Sequence, residues 1–413
     1  MAEEKRITLI NYGKIKPESI DDYINAGGYK AARKAFGCDP VEIVDEMSKS
    51  SLRGRGGAGF STGLKKKFTS EACLRCEQKY LVCNADEGEP GTFKDRIIME
   101  NDPHRLIEGM IIAAYAIGAS KAFIYIRGEY YKSIESLNKA ICDARDRGFL
   151  GEKIFDSSFS TDIEIRLGAG SYLCGEELTM LESLEGKRGY PRIKPPFPAE
   201  KGLYGYPTLI NNVETLATIP AVIEHGADWY TGMGTKDSPG TKIFTISGDI
   251  NKPGFYELEL GATLRELIYD FAGGMKDDRK LQAVLIGGAA GTFVDETVLD
   301  TPLGFDTLKE KGAVLGSGAV IVIGHDKSLI EMTRSILEFF KHESCGKCVP
   351  CRVGMTQLVN MMNDYDNDGS ENGNILDRML AEADYMAKTS LCPLGQSPIL
   401  PLGSLKKYFA GLF

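Results

Sequence analysis

Four cysteines constrain the fold of this chain more than any other feature. Cys345, Cys348 and Cys351 stand at two-residue gaps, and Cys392 follows them after a long interval. Iron–sulfur cubanes are held by four cysteine thiolates, and three close ligands with one distant ligand can reach all four corners. Structural zinc is the alternative, but it usually takes two separated Cys-x2-Cys pairs rather than this three-plus-one pattern. The spacing therefore predicts a [4Fe-4S] cluster on these cysteines and a role in electron transfer.

Length and composition indicate a soluble protein of more than one domain. A chain of 413 residues is expected to form about two to three domains. Apolar residues make up 43% of it and charged residues 26%, as in ordinary globular proteins. The formal net charge is −9 at pH 7, whereas nucleic-acid-binding proteins concentrate Lys and Arg. No nucleic-acid partner is expected.

The sequence also bears on location. The N-terminal segment MAEEKRITLI has acidic residues where a secretory signal would have a basic region and then an apolar run. The longest uncharged apolar stretches, 109–120 and 312–324, are too short to span a bilayer. The ten cysteines, several of them in metal-like clusters, fit a reducing compartment better than a disulfide framework. We expect a cytoplasmic protein without a membrane span, peripheral to a membrane where it belongs to a larger complex.

Strand-like and helix-like segments alternate in the first half of the chain. Expected strands are 79–83, 121–126 and 162–166, and expected helices are 40–52, 103–117 and 133–147. Such alternation predicts a mainly parallel sheet flanked by helices. A proline-rich stretch, 189–207, predicts an extended surface loop, which in a compact domain usually has a function.

The pattern changes in the second half. Short β segments at 242–247, 254–257, 283–286 and 320–323, with a helix at 263–271, predict a small α+β module. Helices at 329–342, 355–364 and 376–388 predict a helical domain around the cysteines. The polar stretch 363–369 suggests a solvated loop, and it lacks the glutamate that an EF-hand calcium loop needs.

A glycine-rich loop, 53–60, follows the first long helix. Gly54 and Gly56 belong to a formal G-x-G-x-x-G match, but the dinucleotide fingerprint needs a preceding strand, and a helix is expected here. Glycines nevertheless allow backbone N–H groups to approach a phosphate or a flat ring, and Arg53 and Arg55 would add positive charge. The alternative is a plain tight turn.

Three groups of candidate contact residues adjoin the expected elements. They are Asn84, Asp86, Glu87 and Glu89 after the first strand, Tyr172, Gly175, Glu176 and Glu177 after the third, and Asn211 and Asn212 before a helix. In open α/β sheets, ligands bind at the carboxyl ends of strands. The alternatives are helix capping for the asparagines and dipole compensation for Glu176 and Glu177. Lys65, Lys66 and Lys67 look like a solvated charge run, although their position after the glycine loop allows one of them a ligand contact.

Cluster cysteines combined with contacts for a flat ligand favour a flavin, which accepts a hydride and releases single electrons. The chain resembles the NADH-binding flavoprotein subunit family of respiratory complex I, which also serves NAD-linked hydrogenases and formate dehydrogenases. The resemblance runs in order along nearly the whole chain and is carried by these motifs: RGRGGAGF (53–60), CNADEGEPGTFKDR (83–96), LCGEE (173–177), KPPFP (194–198), INNVET (210–215), ESCGKCVPCR (343–352) and LCPLG (391–395).

The resemblance implies an α/β fold with three domains. A modified Rossmann-like domain for FMN and NADH is expected at 1–238, a ubiquitin-like β-grasp domain at 239–327 and a helical [4Fe-4S] domain at 328–413. Ferredoxin-like domains, which many hydrogenase relatives append, are not expected in this chain.

The resemblance also implies ligand contacts, position by position. The FMN contacts would be Gly54, Gly56, Lys65, Asn84, Asp86, Tyr172, Gly175, Glu176, Asn211 and Asn212. The NADH site would comprise Phe60, Phe68, Lys194 and Phe197, with Glu89 and Glu177 as catalytic-site carboxylates.

The implied activity is that of an NADH dehydrogenase: hydride exchange between NAD(H) and FMN, followed by single-electron transfer through the cluster. The implied partners are a thioredoxin-like [2Fe-2S] subunit and a larger iron–sulfur or catalytic subunit. A diaphorase subunit of a soluble, even electron-bifurcating, hydrogenase or formate dehydrogenase is the alternative to a respiratory subunit. A cluster-bearing scaffold that binds nucleotide only as a regulator is a third, non-enzymatic hypothesis.

Two features depart from the family pattern. Ser61 and Lys66 stand where relatives commonly have Pro and Trp, which affects the expected contacts near the adenine. Cys73 and Cys76 are additional and form C-x2-C-x6-C with Cys83. A second metal site there would need a fourth ligand that the sequence does not locate.

Overall fold

The structure, a computed structural model, describes residues 3–71, 78–368 and 375–412. Cys73 and Cys76 therefore lie outside the described residues. The elements up to residue 231 are, in chain order, α1 (Ile20–Asn25), α2 (Lys30–Phe36), α3 (Pro40–Lys49), α4 (Thr62–Glu71), β1 (Tyr80–Ala85), α5 (Lys94–Asn101), α6 (Pro103–Ile117), β2 (Lys121–Arg127), α7 (Tyr131–Asp146), β3 (Asp162–Gly168), α8 (Glu177–Leu184), α9 (Pro198–Lys201), β4 (Thr208–Asn212), α10 (Val213–His225) and α11 (Ala227–Thr231).

The first sheet is fully parallel, as predicted. Its strand order is β3-β2-β1-β4, and β1 and β4 pair so that Asn84 lies beside Asn212. Helices α6 and α10 pack against each other on one face of the sheet. Gly109 makes this close packing possible, because a Cβ there would lie 2.0 Å from the Leu216 carbonyl oxygen. The polar carboxyl ends of β1 and β4 are thereby fixed side by side above a buried core.

A second, mixed sheet follows. Its strands are β5 (Thr241–Gly248), β6 (Gly254–Glu259), β7 (Leu281–Ile286), β8 (Thr292–Val294) and β9 (Ala319–Gly324), with helix α12 (Phe305–Glu310) before β9. The strand order is β6-β5-β9-β7-β8. The helix expected at 263–271 is present, and Glu266–Phe271 has π-helical geometry.

The remainder is helical: α13 (Leu329–Glu343), α14 (Val349–Asp368), α15 (Ile375–Thr389), α16 (Pro393–Gln396) and α17 (Ile399–Tyr408). The predicted order of parallel sheet, second sheet and helical region is confirmed. The loop expected from residue 363 is wrong for residues 363–368, which continue α14. No helix in the described ranges is long and apolar enough to cross a membrane.

Candidate functional site

The end of β1 meets the turn before α8. The Asn84 side-chain amide donates to the Gly175 carbonyl oxygen at 2.8 Å, and its own oxygen accepts from the Asp86 backbone N–H at 3.2 Å. Burial raises the pKa of Asp86 to about 7, although the positive charge of Arg127 opposes the shift. Three of the sequence-predicted residues therefore share one edge of the sheet.

The two asparagines at the end of β4 have different roles. Asn212 caps α10 by accepting from the Glu214 backbone N–H at 3.0 Å. Asn211 is buried, and its side-chain oxygen has no hydrogen-bond partner among the described residues. A buried acceptor without a donor costs free energy, so this oxygen is available to a ligand that brings one.

The glycine loop between α3 and α4 closes over this edge. The Gly54 N–H donates to the Phe60 carbonyl at 2.8 Å, and a Cβ at Gly56 would lie 3.1 Å from the Cβ of Asn212. A larger residue at Gly56 would push the loop away from the end of β4. The loop thus forms a narrow cradle whose backbone faces the asparagines.

The two arginines of the loop do not serve as expected. Arg55 is buried and donates to the Tyr230 hydroxyl at 2.8 Å. Arg53 lies over the Phe305 ring at 4.3 Å and pairs with Asp306 at 2.6 Å. Arg53 is therefore paired with protein groups, whereas Arg55 is buried and its Nε and Nη1 have no hydrogen-bond partner among the described residues.

A half-exposed ion cluster lies beside the loop, and we call it the entrance cluster: Lys65, Glu176, Glu177 and Lys194. Glu177 pairs with Lys65 at 3.1 Å and with Lys194 at 2.7 Å. Burial raises the pKa of Glu177, but the two lysines outweigh burial and hold that pKa below its ordinary value. Glu176 lies 3.2 Å from Lys194 and caps α8 by accepting from two backbone N–H groups.

Exposed aromatic rings surround the entrance cluster. Phe60, Phe68 and Phe197 are 46%, 51% and 52% exposed. The Lys65 ammonium lies 5.9 Å from the Phe60 ring centre, and α4, which carries Phe68, packs against α9, which directly follows Phe197. Large exposed rings beside charged groups are suited to stacking on a flat base.

Glu89 belongs to a different cluster from Glu177. Its carboxylate accepts from the Tyr172 hydroxyl at 2.7 Å and from the Ala290 backbone N–H at 3.2 Å. A Cβ at Gly288 would lie 2.4 Å from the Glu89 side chain, so the second sheet's glycine-rich loop covers this carboxylate. Burial raises the pKa of Glu89.

Tyr172 connects this edge to the helical region. Its backbone N–H donates to Glu343 at 3.0 Å, and its ring packs edge-on against Phe339 with 5.1 Å between centroids. Glu343 ends α13, two residues before Cys345. The polar edge of the first sheet and the cysteine motif are therefore neighbours.

Three of the four predicted cysteine ligands lie at the starts of two helices, and Cys345 lies in the loop between α13 and α14. Cys348 directly precedes α14, Cys351 lies in its first turn and Cys392 caps α16. Burial, with a smaller contribution from the nearby Cys345, raises the pKa values of Cys351 and Cys392 to about 11. Backbone N–H groups of residues 394 and 395 point at the Cys392 sulfur. Thiolates are favoured at such positions because helix N-termini carry partial positive charge.

A four-iron cluster and a single metal ion place different demands on four cysteines. In a four-iron cluster each thiolate binds a different iron atom, so the sulfurs need not converge on one point. Within the described ranges, no three His, Cys, Asp or Glu side chains are grouped tightly enough for one metal ion.

Sequence reasoning missed a buried group that we call the charge cluster: Lys94, Asp95, Glu214 and Lys242. Their side chains are at most 4% exposed. Lys94 lies 2.7 Å from Asp95 and 2.9 Å from Glu214. Burial lowers the pKa of Lys94, but the carboxylates outweigh it and the pKa is raised. The lysine and aspartate in TFKDR were a visible signal, whereas nothing in the sequence points to Lys242.

The prediction that Lys65, Lys66 and Lys67 form a solvated run is wrong for Lys66. Lys66 is fully buried, and its ammonium has no hydrogen-bond partner among the described residues. Lys65 pairs with Glu177 at 3.1 Å, and Lys67 is exposed. Lys66 faces inward because α4 packs against α3, α6 and β4 on that side.

Family models match three parts of the chain. A Nuo51 FMN-binding domain matches residues 47–221, an SLBB domain matches 243–290, and an NADH-ubiquinone oxidoreductase-F iron-sulfur binding region matches 331–413. The glycine loop, the asparagines and the entrance cluster fall in the first match, and all four predicted cysteine ligands fall in the last.

Several curated proteins are similar along nearly the whole chain. The F 2 subunit of NADH-quinone oxidoreductase from Rhizobium meliloti is 47% identical, over 95% of this chain and 93% of its own. The HndC subunit of the NADP-reducing hydrogenase from Solidesulfovibrio fructosivorans is 44% identical, over 99% of this chain and 82% of its own.

A solved structure, that of an NAD+-reducing [NiFe]-hydrogenase in the H2-reduced state, aligns with a TM-score of 0.84 and 35% identity. The alignment covers all of this chain and 67% of that one. With these relatives and the two cofactor regions in place, the chain belongs to the F-subunit family of NADH-quinone oxidoreductases, whose members are oxidoreductases with an FMN-binding domain and an iron–sulfur region.

Proposed function

We propose that this chain is the NADH-oxidising subunit of a larger electron-transfer complex. When bound, FMN supplies the chemistry, exchanging a hydride with NAD(H) and single electrons with a [4Fe-4S] cluster. The residues of the chain bind, orient and separate these groups. The observation that carries the proposal is the segment from Tyr172 to Glu177, which contacts the asparagine edge, the entrance cluster and the cysteine region.

The proposed FMN contacts form a cradle of fitting chemistry. Asn211 offers an unpartnered buried acceptor within the described part of the chain, which suits a ring or ribityl donor. Gly54 and Gly56 expose backbone that can approach a flat ring. The remaining proposed contacts are Lys65, Asn84, Asp86, Tyr172, Gly175, Glu176 and Asn212.

The proposed NADH site is the entrance cluster with its exposed rings. Phe60, Phe68 and Phe197 would stack on the adenine, and Lys194 would contact the dinucleotide. Glu177 would lie near the ribose hydroxyls, where a carboxylate disfavours an added 2′-phosphate. Glu89 is proposed to act on the nicotinamide side, because it contacts Tyr172 rather than the entrance cluster.

We propose Cys345, Cys348, Cys351 and Cys392 as the cluster ligands. We also propose domains at 1–238, 239–327 and 328–413. The break before β5 and the break before α13 support these limits, since each separates one set of elements from the next.

Electrons would leave the chain toward a thioredoxin-like [2Fe-2S] subunit and a larger iron–sulfur subunit. The parent complex is proposed to be cytoplasmic or peripheral to a membrane. A hydrogenase-type complex is the second candidate, because HndC is 44% identical over 99% of this chain. Purification of the native complex and identification of its partner subunits distinguishes the two parent complexes.

A Cys348→Ser variant tests the proposed direction of electron flow. It should lose iron while keeping FMN, since the cysteines and the flavin cradle lie in different proposed domains. NADH-driven ferricyanide reduction should then continue, and transfer to the iron–sulfur partner should fall to background. Cys142→Ser, at an exposed cysteine of α7, is the matched control. Full transfer to the partner by a cluster-free variant would refute the proposed route.

A further inference from the structure

We propose that Lys242, contributed by the second sheet, and Lys94 are positioning residues of the flavin cradle. Both ammonium groups contact the Glu214 carboxylate, and together they hold the glycine loop and Asn212 in place. The inference rests on the proposed function, because it assumes that the cradle binds FMN. It gives the second sheet a part in building the flavin site.

Glu214 is the centre of this arrangement. Its Oε2 lies 2.9 Å from the Lys94 ammonium and 3.3 Å from the Lys242 ammonium. Its Oε1 accepts from the Ile243 backbone N–H at 2.9 Å. Burial raises the pKa of Glu214, but Lys242, Lys94 and Arg55 outweigh burial and lower it. Two of the three donors to this buried carboxylate come from β5.

Both lysines also reach the cradle itself. The Lys242 ammonium donates to the Arg55 carbonyl at 3.2 Å, so it holds the glycine loop from behind. The Lys94 ammonium donates to the Asn212 side-chain oxygen at 3.1 Å. Each lysine thus joins Glu214 to one wall of the cradle.

Other contacts restrict the same two walls. The Arg55 N–H donates to the Thr215 hydroxyl at 2.9 Å, which ties the loop to α10. The Asn212 amide donates to Asp95 at 2.7 Å, which fixes the orientation of that amide. Because a Cβ at Gly56 would lie only 3.1 Å from the Asn212 Cβ, the two walls are close together and a small shift of either wall changes the width of the cradle.

The charge cluster is out of reach of solvent and behind the walls. Its effect on a ligand is therefore indirect, through the position of backbone and amide groups. Removing one member of a buried pair leaves its partner uncompensated and allows the structure around it to shift. Loss of the Lys242 ammonium frees the Arg55 carbonyl and leaves Glu214 with the Lys94 ammonium and the Ile243 N–H as its donors.

Lys242→Met in the full chain is the first test, since Met keeps most of the side-chain volume. FMN binding to the apoprotein is measured through the quenching of flavin fluorescence. We expect the FMN dissociation constant to rise tenfold or more and the midpoint potential of bound flavin to shift. At saturating FMN, the KM for NADH should stay within about twofold of the parent chain. Lys252→Met, at an exposed lysine of the same sheet region, should change none of these values.

Glu214→Gln covers the case in which Lys242→Met fails to fold. It keeps the shape and the acceptor for Ile243 but removes the charge, and it should also weaken FMN binding. Folded Lys242→Met and Glu214→Gln proteins that bind FMN within twofold of the parent chain would overturn the inference.

Asn211→Ala separates this inference from the proposed function. If Asn211→Ala weakens FMN binding while the Lys242 and Glu214 variants do not, the positioning role is wrong and the flavin site stands. If Asn211→Ala also leaves FMN affinity unchanged, the proposed flavin site itself is wrong and the inference falls with it.

Discussion

Two regions of this molecule bury lysines, and they treat the charge in opposite ways. In the charge cluster, the Lys94 ammonium meets Asp95, Glu214 and Asn212 within 3.1 Å. On the inner face of α4, the Lys66 ammonium is also buried and has no hydrogen-bond partner in the described part of the chain. Burial alone therefore does not predict whether a lysine stabilises the fold. The number and closeness of the acceptors decide the sign, because burial lowers the pKa of Lys242 to about 7 although Glu214 opposes the shift.

The two sides of the proposed ligand site also differ, in how far their charged groups are exposed to solvent. The charge cluster is closed to solvent, draws its residues from α5, α10 and β5, and lies behind the walls of the proposed cradle. The entrance cluster is partly open, with Lys194 33% and Glu177 24% exposed. Its ion pairs can exchange partners with an arriving dinucleotide at low cost, because exposed pairs contribute little to stability.

The largest expected effect is that of Lys94→Met. Asp95 and Glu214 would lose their shared counter-charge, and breaking a buried pair costs about 3–5 kcal/mol of unfolding free energy. Denaturant titration measures the loss. The control is Lys121→Met, whose pair with Glu164 spans 3.2 Å at 33% and 38% exposure and should cost less than about 1 kcal/mol. Equal losses of unfolding free energy in the two variants would show that the buried pair contributes no more to stability than the exposed pair.

Lys66→Met should raise the free energy of unfolding rather than lower it. Burial lowers the pKa of Lys66 to about 7 from 10.5, so the folded chain binds fewer protons than the unfolded chain between these values. The destabilisation is complete below about pH 7 and disappears as the pH rises toward the unfolded value. The variant should gain a few kcal/mol at about pH 6 and little near pH 10.

Unfolding measured across this pH range tests the prediction. Lys67→Met is the matched control, because Lys67 is 54% exposed and should show no such pH dependence. A loss of stability in Lys66→Met at about pH 6 would mean that the buried ammonium has a partner after all.

Glu177→Gln should change cofactor preference. The parent chain is expected to favour NADH over NADPH. Without the Glu177 charge, Lys65 loses its carboxylate partner and Lys194 keeps only Glu176, so the two lysines attract a 2′-phosphate more strongly. We expect kcat/KM for NADPH to rise about tenfold, or about 1.4 kcal/mol. Steady-state dye reduction with each cofactor measures this, and an unchanged NADPH value would exclude Glu177 from cofactor selection.

Phe197→Ala should give the smallest effect. Loss of one stacking ring costs about 1 kcal/mol, so the KM for NADH should rise several-fold while kcat at saturation changes little. Ile193→Ala is the control, since Ile193 is 72% exposed on the same segment. A larger rise in the KM for NADH in Ile193→Ala than in Phe197→Ala would mean that the adenine binds nearer Ile193 than Phe197.

The sequence predicted regular elements well where their apolar pattern was long. The helix expected at 103–117 has those bounds, and the strand expected at 121–126 ends one residue later. Strand β8, Thr292–Val294, was missed because three residues carry too little periodicity. The 189–207 loop contains the short helix α9, which begins with a proline that fits a first helical turn.

By itself, the sequence determined the family, the cofactors and the choice of candidate cysteine ligands, because those features depend on residue types at short spacings. Tertiary structure alone decided which charges meet. Lys94 reaches the carboxylate of Glu214, 120 positions away. Lys242 reaches the same carboxylate from β5 of the second sheet. Lys66 looks like its two neighbours in the sequence but is turned inward by helix packing. Local pattern fixes which groups are present, whereas the free energy of a buried charge depends on neighbours that only the folded chain brings together.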